Sequence, residues 1–286
     1  MYRYFRTRQV YKLKNCSDIW AVFFIFVFMI NAQPIGLFDS GIGGTSIWKE
    51  IHSLLPNENT IYLADSKNAP YGQKSKDEII ALSIKNTEFL LEQNAKMIVV
   101  ACNTATTNAI KELREMYNIP FIGIEPAIKP AANNSKTQTI GILATKGTLN
   151  SELFNKTAEK FQDTKIVEQV GFNLVKLIEE GKMYSDEMTV LLKKYLEPMI
   201  EANIDYLVLG CSHYPYLIPQ IKEILPEHIK IIDSGEAVAK QTQKILQEKI
   251  GFNNASESNN LFYTNSDAKV LESILGAKYD VIKKDF

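Results

Sequence analysis

MIVVA at residues 97–101 runs directly into CNTAT at residues 102–106, and YLVLG at residues 206–210 runs into CSHYP at residues 211–215. Each stretch is a short apolar run that ends at a cysteine, and hydroxyl or imidazole groups follow within two residues. A buried parallel strand of an α/β protein is typically a continuous apolar run, and ligands bind beyond its carboxyl end. The pattern therefore predicts that Cys102 and Cys211 flank one substrate in one site.

Strand and helix signals alternate from Pro34 onward, which indicates parallel sheets covered by helices on both faces. After the first strand, DSGIGG at residues 39–44 either presents backbone N–H groups to an anion or is a tight corner without a ligand. Ser75 and Glu78 predict a capping box at a helix start. The strands are predicted at residues 34–38, 60–64, 97–101, 120–124, 139–143, 165–168, 206–210 and 229–232.

The composition is typical of a globular chain, with 286 residues, 45% of them hydrophobic, and a formal net charge of -1. A chain of this length can bury one large core or two smaller ones. Because the charge is near zero and no run of like charge marks a tail, nothing in the chain favours a nucleic-acid partner.

Simpler roles for the two cysteines stay open at this point. A cysteine near a strand end is often only a small buried apolar residue. Cys102, Cys211 and His213 have no C-x-x-C spacing and are too few for a closed zinc site, so no metal is expected. A disulfide between the two strand ends would require an oxidising compartment. The polar neighbours favour reactive thiols, because a thiol needs a nearby base or helix N-terminus to become a thiolate.

The first 33 residues differ from the rest and are not expected to belong to the fold. Five basic residues precede an unbroken apolar run from Ile19 to Ile30, as in a secretory signal. The run is too short to span a bilayer as a helix. It is either an export signal that ends near residues 31–33 or translated sequence upstream of a natural start at Met29. We expect the start at Met29 and a cytoplasmic protein with no membrane contact in its mature fold, because free thiols need a reducing compartment.

Six motifs together resemble those of glutamate racemases in the aspartate/glutamate racemase superfamily, in the order typical of that family. They cover almost the whole chain from Pro34 onward. They are DSGIGG at 39–44, DSKNAPYG at 65–72, ACNTAT at 101–106, GIEPAIKPA at 123–131, ATKGT at 144–148 and GCSHYP at 210–215.

The resemblance implies an α/β fold of two similar domains, each a mostly parallel sheet flanked by helices, with the active site in the cleft between them. In that family the chain crosses to the second domain and returns. The first domain would then be residues 34–125 plus 235–286, with Asp39 and Cys102, and the second would be residues 126–234, with Glu179, Cys211 and His213. Pro126, Pro130 and the turn at 233–235 mark the expected crossings.

The resemblance also implies the roles of individual residues. Cys102 and Cys211 would be the acid and base, with Asp39 assisting Cys102, His213 assisting Cys211 and Glu179 supporting the histidine. The substrate-binding positions would be Asp39, Ser40, Tyr71, Gly72, Asn103, Thr104, Thr148, Ser212 and His213. The simpler alternatives are that Asp39 only caps the following helix, that His213 is a structural histidine and that Glu179 is the solvated end of a helix. The position of His213 two residues after Cys211 argues against the second of these.

Two departures from the family pattern affect these expectations. Ser212 stands where threonine is usual, which keeps the hydroxyl but loses a methyl group that would restrict its rotamer. Upstream of Glu179 the family commonly has a Cys-Pro pair, whereas this chain has Val170-Gly171. The local loop geometry and the assignment of Glu179 depend on this second departure.

The resemblance implies a cofactor-independent isomerase that interconverts L- and D-glutamate and supplies D-glutamate for peptidoglycan, and so for cell wall biogenesis and cell shape. One alternative is a racemase or isomerase of aspartate or another acidic substrate in the same superfamily. Another is a catalytically silent binding protein that uses the same cleft. The expected partner is the small-molecule substrate, and the sequence also allows a homodimer.

Overall fold

The structure, a computed structural model, describes residues 31–286. Residues 1–30, including the apolar run and Met29, lie outside the described residues. The strands are β1 (Ile35–Asp39), β2 (Thr60–Ala64), β3 (Met97–Val100), β4 (Phe121–Gly123), β5 (Thr139–Ala144), β6 (Lys165–Val170), β7 (Tyr206–Gly210), β8 (Lys230–Ile232), β9 (Asn260–Thr264) and β10 (Val281–Lys283).

Helices follow most of the strands, as expected for parallel sheets whose connections cross over the sheet faces. They are α1 (Thr45–Leu54), α2 (Lys76–Glu92), α3 (Asn103–Met116), α4 (Ile128–Asn134), α5 (Lys146–Leu149), α6 (Glu152–Ala158), α7 (Leu174–Glu179), α8 (Asp186–Glu201), α9 (Ile218–Ile224), α10 (Gly235–Ile245) and α11 (Lys269–Leu275). Within residues 31–286, none of these helices combines the length and the apolar character that a bilayer crossing requires.

The first sheet has six parallel strands in the order β10-β9-β2-β1-β3-β4. Strand β1 lies near its middle, with Ile35 paired to Thr60 on one side and to Met97 on the other. All residues of β1, β2 and β3 are buried, which explains their continuous apolar character. Two of the six strands, β9 and β10, come from the end of the chain.

The second sheet has four parallel strands in the order β6-β5-β7-β8. Its strands are consecutive in sequence, so the chain leaves the first sheet after β4 and returns to it after β8. The two crossing segments touch, because the Ser234 hydroxyl donates a hydrogen bond to the Glu125 carbonyl oxygen at 2.5 Å. The proposed domain boundaries, 34–125 plus 235–286 and 126–234, stay a prediction.

The fold class expected from the sequence, mostly parallel sheets flanked by helices, is confirmed. The predicted strands 60–64 and 206–210 coincide with β2 and β7, and the other predicted strands differ from the observed ones by one or two residues at an end. Ser75 and Glu78 form the predicted capping box at the start of α2. Strands β9 and β10 were not predicted.

Helix α1 connects the glycine-rich turn to the core of the first sheet. Its buried face includes Ile47, Trp48 and Ile51, spaced as one face of a helix. The Trp48 ring meets Phe262 of β9 edge-on, with 4.8 Å between ring centroids. The Trp48 indole N–H donates to Thr60 Oγ1 at 2.9 Å. Helix α1 is therefore packed against both β2 and β9. These contacts also hold the glycine-rich turn that leads into the helix.

Candidate active site

Cys102 and Cys211 follow β3 and β7, one from each sheet, and line the same small cavity. Both thiols are free and buried, with 4% and 6% of their surface exposed. The residues that line the cavity are Ser40, Pro70, Tyr71, Gly72, Cys102, Asn103, Thr104, Thr145, Val175, Cys211, Ser212 and His213. The structure thus brings together the two halves of the site that the sequence pattern predicted.

Cys102 occupies the N-cap position of α3. The Ala105 backbone N–H donates to its sulfur at 3.4 Å, and the thiol can donate to Ser40 Oγ at 3.7 Å. Burial, and next the negative charge of Asp39, raise the pKa of the Cys102 thiol well above its usual range, in spite of the backbone donor. In this arrangement Cys102 is a protonated thiol, ready to give a proton.

Cys211 lies beside the imidazole of His213. His213 Nδ1 is 3.9 Å from Cys211 Sγ, and His213 Nε2 is 2.6 Å from Glu179 Oε1. Burial alone would lower the pKa of His213, but hydrogen bonds to Cys211 and Glu179 and the charges of Asp39 and Glu179 raise it well above its usual value. Nε2 thus faces Glu179 and also lies 3.3 Å from the Gly43 backbone nitrogen, while Nδ1 faces the Cys211 sulfur, the Ser212 hydroxyl at 3.4 Å and Asp39.

The glycine-rich turn presents its backbone N–H groups to anions, and these anions are carboxylates of the protein itself. Gly41 and Gly44 N–H donate to Asp39 Oδ2 at 3.1 and 3.0 Å, and Ile42 N–H donates to Glu179 Oε1 at 2.7 Å. A Cβ atom on Gly41 would lie 1.9 Å from Glu179 Oε1, and one on Gly43 would lie 2.1 Å from His213 Nδ1. Glycine is required at both positions because the backbone approaches these side chains so closely.

Asp39 connects the two cysteine loops. It is fully buried, and its Oδ1 accepts a hydrogen bond from Ser212 Oγ at 3.0 Å while its Oδ2 lies 3.9 Å from His213 Nδ1. Burial raises the pKa of Asp39, and the His213 charge offsets only part of that effect. The same carboxylate accepts the Gly41 and Gly44 N–H groups before α1, so Asp39 bonds to the glycine-rich turn and to the second cysteine loop at once.

Asn103 is the clearest position for ligand binding. It is 1% exposed, and neither its Oδ1 nor its Nδ2 has a hydrogen-bond partner among residues 31–286. A buried amide without a partner is costly, so a ligand that supplies a donor and an acceptor would relieve the cost. Nearby, Thr104 Oγ1 lies 2.8 Å from Thr145 Oγ1 and 3.3 Å from Thr148 Oγ1, which joins α3 to the second sheet.

Three predicted site residues do not line the cavity themselves. Asp39, Glu179 and Thr148 lie behind it, and each contacts a residue that does line it. Tyr71 lines the cavity but points its hydroxyl away, donating to Asp65 Oδ2 and accepting from Asn86 Nδ2 at 3.1 Å.

Sequence reasoning missed four neighbours of the site: Pro70, Thr145 and Val175, which line the cavity, and Ser66, which bonds to Glu179. Thr145 falls inside the ATKGT motif and Ser66 and Pro70 inside DSKNAPYG, so a signal was present for three of them. In the part of the chain that the structure describes, no group of three His, Cys, Asp or Glu side chains is arranged to hold a metal ion.

Comparison with known proteins gives a consistent result. The family model of Asp/Glu/Hydantoin racemase matches residues 35–242. A glutamate racemase of Ralstonia pickettii is 46% identical over 214 residues, which are 74% of this chain and 76% of that protein. A glutamate racemase of Bacillus anthracis has a similar crystal structure, with a TM-score of 0.81 and 32% identity over 89% of this chain and 98% of that one.

A third relative was solved with ligands. The crystal structure of Escherichia coli glutamate racemase contains L-glutamate and the activator UDP-MurNAc-Ala. It has a TM-score of 0.79 and 32% identity to this chain, covering 88% of this chain and 98% of the relative.

The two parallel sheets and the shared cavity are thus those of an amino-acid racemase, and the protein is an isomerase. The chain belongs to the Asp/Glu/Hydantoin racemase family. The resemblance to glutamate racemases that its motifs carry is confirmed.

Proposed function

We propose that this chain interconverts L- and D-glutamate with Cys211 and Cys102 as the two bases, one at each face of the α-carbon, and without a cofactor. The observation that carries the proposal is the pair of free thiols that line one cavity in opposite surroundings. Cys211 lies 3.9 Å from His213 Nδ1, and the pKa of that imidazole is raised, whereas Cys102 lies near Ser40 and the Ala105 N–H, where burial and the Asp39 charge raise the pKa of its thiol. Such a pair lets one thiol take a proton from one face while the other gives a proton to the opposite face.

In the forward step the α-proton moves to the Cys211 sulfur and forms an S–H bond. The electron pair of the broken C–H bond spreads onto the α-carboxylate, and the Cys102 thiol then donates its proton to the opposite face and becomes a thiolate. The reverse turnover returns both protons. Thiols suit this work because neighbours tune their pKa.

His213 and Glu179 would assist Cys211, and Asp39 would assist Cys102. The described residues that line the cavity include no Lys or Arg. Hydroxyls, the Asn103 amide and backbone N–H groups are therefore left to hold the two substrate carboxylates and to stabilise the charge that develops in the transition state. Ser40, Gly72, Thr104 and Ser212 are the remaining proposed contacts, with the ring of Tyr71. Thr148, which the resemblance also implies, would act through its contact with Thr104.

D-glutamate from this reaction would supply peptidoglycan synthesis, in the reducing cytoplasm that keeps both thiols free. A homodimer stays an expectation. Chiral chromatography of the purified protein with L-glutamate and with L-aspartate tests the substrate directly. We expect D-glutamate to form and chelator to leave the rate unchanged, whereas thiol alkylation should abolish it. Faster turnover of aspartate would favour the alternative substrate.

The two-base mechanism predicts opposite behaviour of two variants. Cys102→Ser and Cys211→Ser should each abolish racemisation, because neither thiol reaches the other face. The remaining cysteine, in its deprotonated form, can still remove the α-proton on its own side. In β-chloroglutamate the freed electron pair then forms a Cα=Cβ bond, chloride leaves, and water hydrolyses the enamine to a keto acid and ammonia.

Each serine variant should therefore release chloride from one enantiomer only, and the two variants should use opposite enantiomers. By the family resemblance we assign Cys211 to the L-form and Cys102 to the D-form. Chloride and keto-acid release from each enantiomer are the measurements. Equal release from both enantiomers by a single variant would show that one base serves both faces, and the two-base proposal would be wrong.

A further inference from the structure

Ser66 holds the carboxylate that supports His213. It begins the loop after β2, and its hydroxyl donates to Glu179 Oε2 at 2.7 Å. The other carboxylate oxygen, Oε1, accepts from Ile42 N–H at 2.7 Å and lies 2.6 Å from His213 Nε2. The Glu179 carboxylate thus has three hydrogen-bond partners, and among residues 31–286 the partner of Oε2 is Ser66.

The loop that carries Ser66 is anchored by contacts other than the one to Glu179. The preceding residue, Asp65, is fully buried and accepts hydrogen bonds from Asn68 and Tyr71 within the loop and from Asn265 beyond β9. The Lys67 backbone N–H donates to Asn265 Oδ1 at 2.9 Å. A donor on an anchored loop can fix the orientation of a carboxylate that a single-sided contact would leave free to rotate.

We propose that Ser66 is a positioning residue of this racemase, whose hydroxyl orients the Glu179 carboxylate so that His213 is held against Cys211. A carboxylate that orients a histidine beside a nucleophile is a recurring arrangement in enzymes, and its effect depends on geometry. The inference rests on the proposed two-base function. Ser66 follows strand β2 of the first sheet, whereas Cys211 follows strand β7 of the second, so the proposed support of Cys211 comes from both halves of the site.

The effect of Ser66 should be confined to one face of the substrate. Its contact leads through Glu179 and His213 to Cys211. Cys102 instead bonds to Ser40 and to the Ala105 N–H. Because L- and D-glutamate are equally stable, kcat/KM of the complete reaction is the same in both directions and cannot reveal a one-sided effect. Elimination from β-chloroglutamate can reveal it, because each single-cysteine variant uses one face.

The experiment places Ser66→Thr and Ser66→Val in both the Cys102→Ser and the Cys211→Ser proteins. Thr and Val have nearly the same shape, and only Thr keeps the hydroxyl. We expect Ser66→Val to lower elimination by about tenfold in the Cys102→Ser protein, the scale of one hydrogen bond to a charged group. Ser66→Thr should keep the rate. In the Cys211→Ser protein both variants should leave the rate unchanged.

Ser135→Ala is the matched control. It also removes a serine hydroxyl that donates to a carboxylate, that of Asp205 at 2.6 Å, at the start of the second sheet and outside the cavity. It should change neither elimination rate. Ser66→Ala, a smaller change than Val, serves if the Val variant does not fold.

Two results would overturn the inference: an equal loss in both backgrounds, which is the sign of a general structural role, or no loss in either. Failure of the two-base proposal has a different signature. In that case the parent Cys102→Ser and Cys211→Ser proteins would not select opposite enantiomers before any change is made at Ser66.

Discussion

At the scale of single residues, the site depends on close approach of the turn at residues 39–44 to side chains that follow the second sheet. Gly41 is the tightest point, because its backbone lies against Glu179 and leaves no room for a Cβ atom. The glycines in DSGIGG suggested such an approach, and the structure identifies its target as the protein's own Glu179, His213 and Asp39.

Gly41→Ala should therefore lower kcat strongly while the protein still folds. The new methyl group must displace the Glu179 carboxylate from His213, and a displacement of about 1 Å near reacting groups can cost about 100-fold. Steady-state kinetics with L-glutamate measures the loss.

Gly276→Ala is the control for this prediction. Its Cβ would meet nothing within 4 Å, but its φ is +77°. It should lower stability by about 1–2 kcal/mol through backbone strain and leave kcat unchanged. Comparable kcat losses in the two variants would contradict the assignment of Gly41 to the site.

The departure at Val170-Gly171 also has a structural reason. Tyr214 donates to the Gly171 carbonyl oxygen at 3.2 Å, and a Cβ on Gly171 would lie 2.3 Å from the Tyr214 hydroxyl oxygen. The loop before α7 therefore needs glycine here, and Glu179 at the end of α7 still contacts His213. The contact between Gly171 and Tyr214 could not be predicted from the sequence, because the two residues are 43 positions apart.

At the scale of elements, strand β9 brings a segment from late in the sequence into the core of the first sheet. Phe262 is fully buried and lies against Trp48 of α1 and Tyr279, with ring centroids 4.8 and 5.3 Å away. Phe262→Ala should lower the free energy of unfolding by about 3–5 kcal/mol, the usual cost of removing a buried aromatic ring.

Thermal and urea unfolding measure this effect, and activity at low temperature should remain because Phe262 does not line the cavity. Ile282→Ala in edge strand β10 is the control. Its side chain is 40% exposed, so the change should be below about 1 kcal/mol. Equal destabilisation by both variants would show that β9 is not a core strand.

The elements that the sequence predicted and those that it did not differ in a physical way. Strands β1 to β5 and β7 have the continuous apolar character of buried parallel strands, and local pattern was enough to find them. Strand β9 begins with Asn260 and pairs with β2, whose Thr60 is its register partner. Such a distant pairing leaves no local signal.

Most of the residues that line the cavity belong to motifs that directly follow strands, so the sequence could predict that they lie close together. Their roles in the site stay a prediction. Whether a given residue lines the cavity or lies behind a lining residue could not be predicted from these motifs. Whether a residue such as Glu179 or Ser66 lies at the cavity or behind it depends on the contact between the two sheets' loops.

At the scale of the whole molecule, the beginning of the described chain is bound into the first sheet's base. Buried Lys96 pairs with Glu58 at 2.6 Å and also donates to the Asn31 carbonyl oxygen at 2.6 Å. The Asn59 side chain donates to the Ala32 carbonyl oxygen at 2.7 Å. The carbonyl oxygens of residues 31 and 32 thus each accept a hydrogen bond from a side chain of the first sheet's base, and Lys96 would keep only Glu58 of its two acceptors named here without them.

A protein that begins at Met29 should be soluble and fully active, because it keeps both acceptors. A protein that begins at Pro34 should be less stable by about 1–3 kcal/mol, since a buried charged donor loses a partner. Thermal unfolding of the two proteins and of the full chain is the measurement. Identical melting temperatures for the two starts would show that residues 29–33 contribute nothing.

The order of strands in the first sheet also has a consequence for synthesis of the protein. During synthesis, one edge of β2 stays unpaired until β9 is made, because Asn260, the partner of Thr60, is 200 residues further along the chain. At about 5–20 residues per second the ribosome needs about 10–40 s to make that stretch. During that interval the four strands of the second sheet, consecutive in sequence, are completed first. The nascent chain therefore carries an open, apolar strand edge for most of its translation, which is the period in which a chaperone would have most to protect.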